Sequence, residues 1–231
     1  MENTMKLLKF RNIYFVLILI LLSFGNSPAQ ETKVFSEAKG SSKYQTSYDF
    51  DKWNFSVGKN RYEIRKDGKA KRTNIKNRIT NFHIRLDKDE LLERAIYFAQ
   101  YKNDLLLICE VSVADAGSGF IARFDGKTLK TKWQGNISSF NTTKGLIEGK
   151  SAYLAVGGFV AKMNLDTGKY IWKHEDFYRK YKEDGAFNIF ETPKIEGNII
   201  TLTENQDDYK RPSNVIKFNK ISGKVIEVKV N

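Results

Sequence analysis

The chain has 231 residues with 39 basic and 27 acidic side chains, a formal net charge of +12, and an aromatic content of 13%. This supply of apolar and aromatic residues, with three prolines, excludes an intrinsically disordered chain. One cysteine and two histidines exclude an internal disulfide and leave almost no material for a His/Cys metal site.

Residues 1–29 have the pattern of a secretory signal peptide: three early basic residues, an apolar run over residues 13–24 and small residues at 27–29. The run is 12 residues long, whereas a membrane-spanning helix needs roughly 20. We therefore expect cleavage after Ala29, no transmembrane segment in the mature chain, and a periplasmic or secreted location. Cleavage would remove three basic side chains and Glu2, so the formal charge would fall from +12 to +10.

Residues 30–50 are polar and rich in serine, and they are predicted to form an N-terminal arm that is either loose or supplies a ring-closing strand. A repeat domain is predicted over residues 51–231. Its first part is diverged: residues 57–64 resemble the first turn of the later units, but residues 66–86 fit the strand pattern poorly. Asp87 and Glu90 form a plausible capping box, which would open a short helix over residues 87–95.

Basic side chains are concentrated between residues 59 and 78, where Glu63 and Asp67 are the only acids. Clustered charge attracts anionic partners and accelerates their association, although Lys and Arg also protect exposed strands against pairing. Because export separates the protein from cellular nucleic acid, we expect a protein or an anionic envelope component as the partner. The candidate contact residues in this segment are Lys59, Arg61, Arg65, Lys66, Lys69, Lys71 and Arg72.

Three units of four short strands are predicted from alternating apolar residues and polar turns. The predicted strands are 95–101, 104–113, 119–124 and 129–134; then 144–148, 151–156, 159–164 and 169–173; then 191–196, 199–203, 214–218 and 224–230. Asn103, Lys150 and Asn198 occupy the same turn in successive units, 47 and 48 residues apart. A four-stranded propeller blade repeats at roughly 40–50 residues.

A polar turn between the last two strands also recurs, within residues 120–133, 160–172 and 215–228. Trp133 and Trp172 follow Asp125 and Asn164 by eight residues. This regular placement predicts that the two indoles are wedges between neighbouring sheets. Glu227 takes the matching position in the third copy.

These residues resemble the repeat of the pyrroloquinoline-quinone-type (quinoprotein-like) β-propellers, over roughly residues 95–230. Residues 165–172, Leu-Asp-Thr-Gly-Lys-Tyr-Ile-Trp, match closely, residues 221–226 match fairly, and residues 126–133 form a shifted variant. The resemblance implies an all-β fold, a small propeller of about four four-stranded blades, with a β-sandwich as the alternative.

The resemblance also implies two functional classes, because the family contains quinone-dependent dehydrogenases and non-catalytic proteins that bind or scaffold others at the cell envelope. The dehydrogenases are about twice as large and carry an adjacent cysteine pair and a calcium site. Cys109 stands alone, so we expect a non-catalytic member without a cofactor.

Two long loops complete the candidate contact regions, with the residues Phe177, Tyr178, Tyr181, Tyr209 and Arg211. Carboxylates at positions 175, 176, 183 and 184 could act as a glycosidase pair, but interspersed basic residues favour a solvated loop. The predicted function is non-enzymatic binding or scaffolding of a macromolecular partner. The alternatives are an immunity or inhibitor protein that caps a toxic enzyme, and a quinone- or glycan-acting enzyme. The sequence leaves the oligomeric state open.

Overall fold

Strands make up the regular secondary structure in a computed structural model of the chain, which describes residues 31–42, 50–113, 116–138, 142–175, 189–204 and 213–229. None of these residues forms a helix long and apolar enough to cross a membrane. The strands are β1 (Thr32–Val34), β2 (Ser36–Glu37), β3 (Lys39–Ser41), β4 (Lys52–Val57), β5 (Asn60–Arg65), β6 (Lys69–Thr73), β7 (Ile79–His83), β8 (Leu91–Tyr101), β9 (Asp104–Val113), β10 (Ala116–Phe124), β11 (Thr131–Ile137), β12 (Leu146–Glu148), β13 (Ser151–Val156), β14 (Phe159–Asn164), β15 (Tyr170–His174), β16 (Lys194–Glu196), β17 (Ile199–Thr203), β18 (Val215–Asn219) and β19 (Val225–Lys229).

Strands β4 to β19 form four antiparallel sheets, each of four strands that are consecutive in the chain. We number these sheets one to four in chain order: β4–β7, β8–β11, β12–β15 and β16–β19. A series of four-stranded antiparallel meanders is the architecture of propeller blades, and the all-β prediction is confirmed. Four sheets exclude the two-sheet sandwich. Residues 66–86, which fit the strand pattern poorly, contain β6 and β7. The short helix that the sequence offered as an alternative over residues 87–95 does not form, because β8 begins at Leu91.

The N-terminal arm adds a fifth strand to three of the sheets. Strand β1 pairs with β12, β2 with β8 and β3 with β4, always antiparallel to the first strand of the sheet. Between these short strands, the Phe35 amide donates to the Gly145 carbonyl at 2.9 Å and the Ala38 amide to the Ile96 carbonyl at 2.8 Å. Phe35 and Ala38 are buried, so the arm is anchored by apolar contacts as well as by main-chain hydrogen bonds.

Apolar side chains pack between successive sheets. One cluster joins sheets one and two, a second joins sheets two and three, and a third joins sheets three and four. Alternate residues of β9 enter the first two clusters, which explains why residues 105–109 are an unbroken apolar run. Cys109 lies in the first cluster, and burial raises the pKa of its thiol. This burial favours a structural role for the thiol over a reactive one.

The polar turn that recurs in the sequence has the same hydrogen bonds in each copy. The backbone amides of Asp125, Asn164 and Asn219 each donate a hydrogen bond to the carbonyl five residues later, at 2.8 to 2.9 Å. Gly168 and Gly223 have positive φ in the second and third copies, and Leu129 stands at that place in the first, with φ 59°. The sequence indicated that the first copy is a shifted variant, but in the structure it is in register with the other two. A buried leucine, Leu129, takes the place of the glycine there.

Each turn is also the contact point with the preceding sheet. Arg72, Arg123 and Lys162 donate to the carbonyls of Gly126, Leu165 and Lys220 at 2.6, 2.8 and 3.2 Å. Trp133 and Trp172 donate to Leu165 and Lys220, at 3.1 and 3.2 Å. The predicted tryptophan wedges are thus confirmed. In sheet four, Glu227 replaces the tryptophan and binds Lys217 at 2.7 Å.

A buried ion pair accompanies the contact between sheets two and three. Arg123 donates from Nε to Asp104 Oδ2 at 2.6 Å, and both side chains are buried. At the rim of this contact, Lys102 donates to Asp166 at 2.6 Å and the Tyr101 hydroxyl donates to it at 3.1 Å. The charges of the two sheets are therefore neutralised where the surfaces meet.

The Asp166 contacts predict a dependence of stability on pH. The hydrogen bond from Lys102 lowers the pKa of Asp166 to about 2. Because this folded-state pKa lies below the ordinary value of about 3.9, the ionised carboxylate stabilises the fold above that value, and the contribution is lost as pH falls towards 2. We expect urea denaturation to give a lower free energy of unfolding at pH 3 than at pH 5. The substitution Asp166→Asn should reduce this difference, and an unchanged difference would contradict the role of Asp166.

Candidate binding surface

Strand alternation divides the basic segment between the two faces of sheet one. Trp53, Phe55, Tyr62, Ile64 and Ala70 are buried and belong to the cluster shared with sheet two. Successive side chains of a strand point to opposite faces, so the residues between these apolar ones point away from sheet two. The burial pattern of β4, exposed and buried in turn, shows this directly.

The outward face of sheet one is basic. Residues directly opposite one another in an antiparallel sheet share a face, and the register pairs Lys52 with Arg65, and Glu63 with Lys71. The outward basic side chains define a surface that we call the basic face: Lys39, Lys52, Arg61, Arg65, Lys69 and Lys71. On the outward positions of β3 to β7, Glu63 is the one carboxylate.

Acidic groups neutralise only part of the basic face. Glu63 binds Lys71 at 3.0 Å, and Asp67, in the turn after β5, binds Lys69 at 2.9 Å and lies 3.6 Å from Arg65. Desolvation opposes the charge of Asp67, but the hydrogen bonds from Lys69 outweigh it and lower the pKa of Asp67. The described residues contribute no carboxylate within ion-pair distance of Lys39, Lys52 or Arg61 that would balance their charge.

Two open grooves cross this surface. One, of about 710 Å³, is lined by residues of the arm, β4 and the turn after β5, and a second, of about 400 Å³, lies over β5 to β7. Both are lined by Glu63 and Arg65, so they adjoin. Polar lining and a shallow shape suit a macromolecular surface better than a small apolar ligand. Within the described ranges, no group of three or more His, Cys, Asp or Glu side chains could hold a metal ion.

The structure separates the candidate residues of the basic segment. Arg61, Arg65, Lys69 and Lys71 lie together on the basic face, and Lys66 lies in the turn beside it. Two other candidates lie elsewhere. Arg72 points to the opposite face and holds sheet two through Gly126 and Lys127, and Lys59 lies in the turn between β4 and β5, at a cavity of about 230 Å³ next to sheet two.

Two members of the basic face were missed from the sequence because they lie outside the segment of residues 59–78. Lys52 precedes the buried Trp53 in β4, and Lys39 is brought in by the arm. The alternation of β4 was a usable signal for Lys52, whereas the position of Lys39 depends on a pairing with no local signature.

The loop candidates Phe177, Tyr178, Tyr181, Tyr209 and Arg211 lie outside the described residues. Of the four carboxylates considered as a glycosidase pair, Glu175 is described. Lys173 donates to it at 3.0 Å and Ser138 at 2.8 Å, and the hydrogen bond from Lys173 lowers its pKa. A glycosidase acid needs a raised pKa, so this carboxylate is unsuited to that role.

Comparison with known proteins gives structural likenesses alone. No protein-family model matches the chain, and no curated protein sequence matches it. Among solved structures, it is similar to a europium-containing methanol dehydrogenase, with 12% identity and a TM-score of 0.48. It is also similar to the quinohemoprotein alcohol dehydrogenase ADHIIG from Pseudomonas putida HK5, with 13% identity and a TM-score of 0.49, and to BamB from Moraxella catarrhalis, with 10% identity and a TM-score of 0.29.

The matches differ in how much of each protein they include. They cover 76%, 86% and 65% of this chain, but 40%, 36% and 68% of the respective neighbours. The chain thus spans well under half the length of either dehydrogenase. TM-scores below 0.5 are too low for these likenesses to assign a fold or a function, so the architecture of the chain rests on its own sheets and turns.

Proposed function

We propose that the mature chain is an exported, non-catalytic binding protein that holds an acidic protein partner on the basic face. The observation that carries this proposal is the contrast between the two faces of sheet one. One face is apolar and buried against sheet two, and the other is exposed and carries six basic side chains. A rigid sheet presents these charges in fixed rows, which favours recognition of a complementary acidic surface.

A charge-reversal variant tests the proposal. Lys52, Arg61 and Arg65 are exposed, so their simultaneous change to Glu should leave the fold intact while reversing the field of the basic face. We expect a protein retained by the mature chain from an envelope extract to be lost by this variant. The dissociation constant of that partner for the charge-reversal variant, measured by calorimetry, should be at least tenfold higher than for the native chain. Raising the salt concentration should weaken binding to the native chain.

The matched control is a variant with the same change in net charge elsewhere. Lys130, Lys150 and Lys224 are exposed lysines of the turns in sheets two to four, and their change to Glu should leave partner retention unaltered. Equal loss of binding in both variants would show a response to net charge alone. Unchanged binding in the basic-face variant would exclude this surface, and either result would overturn the proposal.

A further inference from the structure

Sheet four differs from the other sheets at its first strand. In sheets one, two and three, the first strand is covered by β3, β2 and β1 of the arm. In sheet four, none of the described strands pairs with the outer side of the first strand, β16, so among the residues that the structure describes β16 is an edge strand. Followed towards its N-terminus, the arm pairs with the next sheet every three or four residues. Its strands begin at Lys39 on sheet one, at Ser36 on sheet two and at Thr32 on sheet three. Strand β16 therefore lies at the next position of an existing series of pairings.

The hairpin between β16 and β17 determines which main-chain groups face outward. Glu196 and Ile199 flank a turn of two residues, and the residues flanking such a turn bond to each other. Because bonded and non-bonded pairs alternate, the N–H and C=O of Ile195 point away from β17. In sheet three, Ile147 has the same position and lies opposite Lys33 of β1. The outward groups of Ile195 thus form a template for another strand.

We propose that β16 accepts an extended segment of a partner protein, which pairs with it antiparallel as β1 pairs with β12. With cleavage after Ala29, as the sequence predicts, two residues would remain before β1, fewer than the three or four by which the arm passes from one sheet to the next. One of them, Glu31, is exposed and outside any strand. The proposal concerns a different surface from the basic face and does not depend on it.

The side chains of β16 define the chemistry of the partner segment. By the register of β1 on β12, successive residues of the partner lie opposite Glu196, Ile195 and Lys194. Glu196 and Lys194 are exposed, whereas Ile195 packs against the cluster between sheets three and four. Opposite charges across a strand pair stabilise it. The segment that fits is therefore basic, then β-branched, then acidic, in the N-to-C direction.

Disulfide capture measures this pairing even when the affinity of a short peptide is low. The substitution Lys194→Cys places an exposed thiol at a position that is not hydrogen-bonded to the incoming strand, where opposed Cα atoms come close enough for a disulfide. Cys109 is fully buried and does not compete. The probe is the blocked peptide Ser-Lys-Val-Cys-Thr, whose lysine lies opposite Glu196 and whose valine lies opposite Ile195. The equilibrium constant for its mixed disulfide is measured against glutathione.

We expect this constant to be at least tenfold larger for Lys194→Cys than for Lys224→Cys, an exposed turn position. Two changes to the peptide should abolish this preference for Lys194→Cys: moving its cysteine by one residue and methylating its valine nitrogen. Replacing its lysine with glutamate should reduce the preference in part. The variant Ile195→Pro should act like the methylated peptide. The methylated peptide leaves the protein unchanged, so it decides the outcome if the proline variant unfolds. Equal constants for all peptides would overturn the proposal.

Discussion

Replacing Arg123 with methionine is expected to lower the free energy of unfolding by about 3–5 kcal/mol. The guanidinium donates to Asp104 at 2.6 Å and to the Leu165 carbonyl at 2.8 Å, and it is almost fully buried between sheets two and three. Methionine fills much of the same volume but leaves the Asp104 carboxylate buried beside one remaining cation, Lys132. Removing one partner of a buried pair costs more than the pair itself contributes.

Denaturation in urea measures this effect, and Lys132→Met is the matched control. Lys132 also donates to Asp104, at 2.8 Å, but its side chain is 39% exposed, so its removal should lower the free energy of unfolding much less than the removal of Arg123. A second variant, Arg123→Met with Asp104→Leu, removes both buried charges and should recover part of the lost stability. Similar losses for Arg123→Met and Lys132→Met would contradict the assignment of Arg123 as the central contact.

Gly168→Ala is expected to destabilise the fold by roughly 2–4 kcal/mol, about twice as much as Gly58→Ala. Both glycines have positive φ, 70° and 56°, so both substitutions place a side chain in the left-handed region, at about 1–2 kcal/mol. A Cβ at Gly58 meets nothing within 4 Å, whereas a Cβ at Gly168 would lie 2.6 Å from the ring of Trp133. Gly168→Ala therefore also displaces the indole of Trp133 from its packing position against the turn, which adds the cost of overpacking.

Thermal or urea denaturation of Gly58→Ala and Gly168→Ala separates the cost of the left-handed backbone conformation from the cost of disturbing the contact between sheets. A double-mutant cycle identifies the neighbour, because Gly168→Ala should cost less when Trp133 is already leucine. If Gly58→Ala and Gly168→Ala cost the same, the tryptophan would not be a wedge against the turn of the following sheet.

The strands of sheets two to four could be predicted from sequence because several independent sequence patterns indicated the same elements. Alternating apolar residues, a two-residue turn and the Asn/Asp-containing turn all indicate the same four strands, and the observed bounds of β12 to β15 lie within two residues of those predicted. Sheet one lacks this agreement. Its last turn, at Asn74–Arg78, is shorter than the other copies, and Asn77 has the positive φ that glycine adopts elsewhere. The strands formed because buried Ala70 and half-buried Phe82 complete the cluster with sheet two.

The alternative helix over residues 87–95 is a case in which strand pairing overrides a local helix preference. Half of the predicted capping box is present, since the Asp87 amide donates to Glu90 Oε2 at 2.8 Å. Immediately afterwards, the chain enters β8 and pairs with β9 along its length. The gain from burying Leu92 and Ile96 between two sheets exceeds what an isolated short helix could provide.

The candidate surface could be predicted only in outline. The concentration of charge in residues 59–78 indicated the correct sheet, but a contiguous segment of a strand always supplies both faces. The sequence alone therefore groups Arg72 with residues whose side chains point to the opposite face. The arm that completes the surface with Lys39 consists of pairings two or three residues long, which sequence periodicity cannot detect.

The arm also constrains the order in which the molecule can fold. Thr32 pairs with Glu148, so the most N-terminal described strand has no partner until the chain beyond residue 148 is present and sheet three has formed. Contacts between residues this far apart in sequence require the largest loop-closure entropy and form slowly. Sheets one and two can assemble from neighbouring hairpins while β1 waits. Among the described residues, those of β1 leave the ribosome first, yet their partner strand β12 follows all of sheets one and two in the chain. The pairing of the arm with three sheets can therefore be completed only after sheets one and two and the first strand of sheet three have been synthesised.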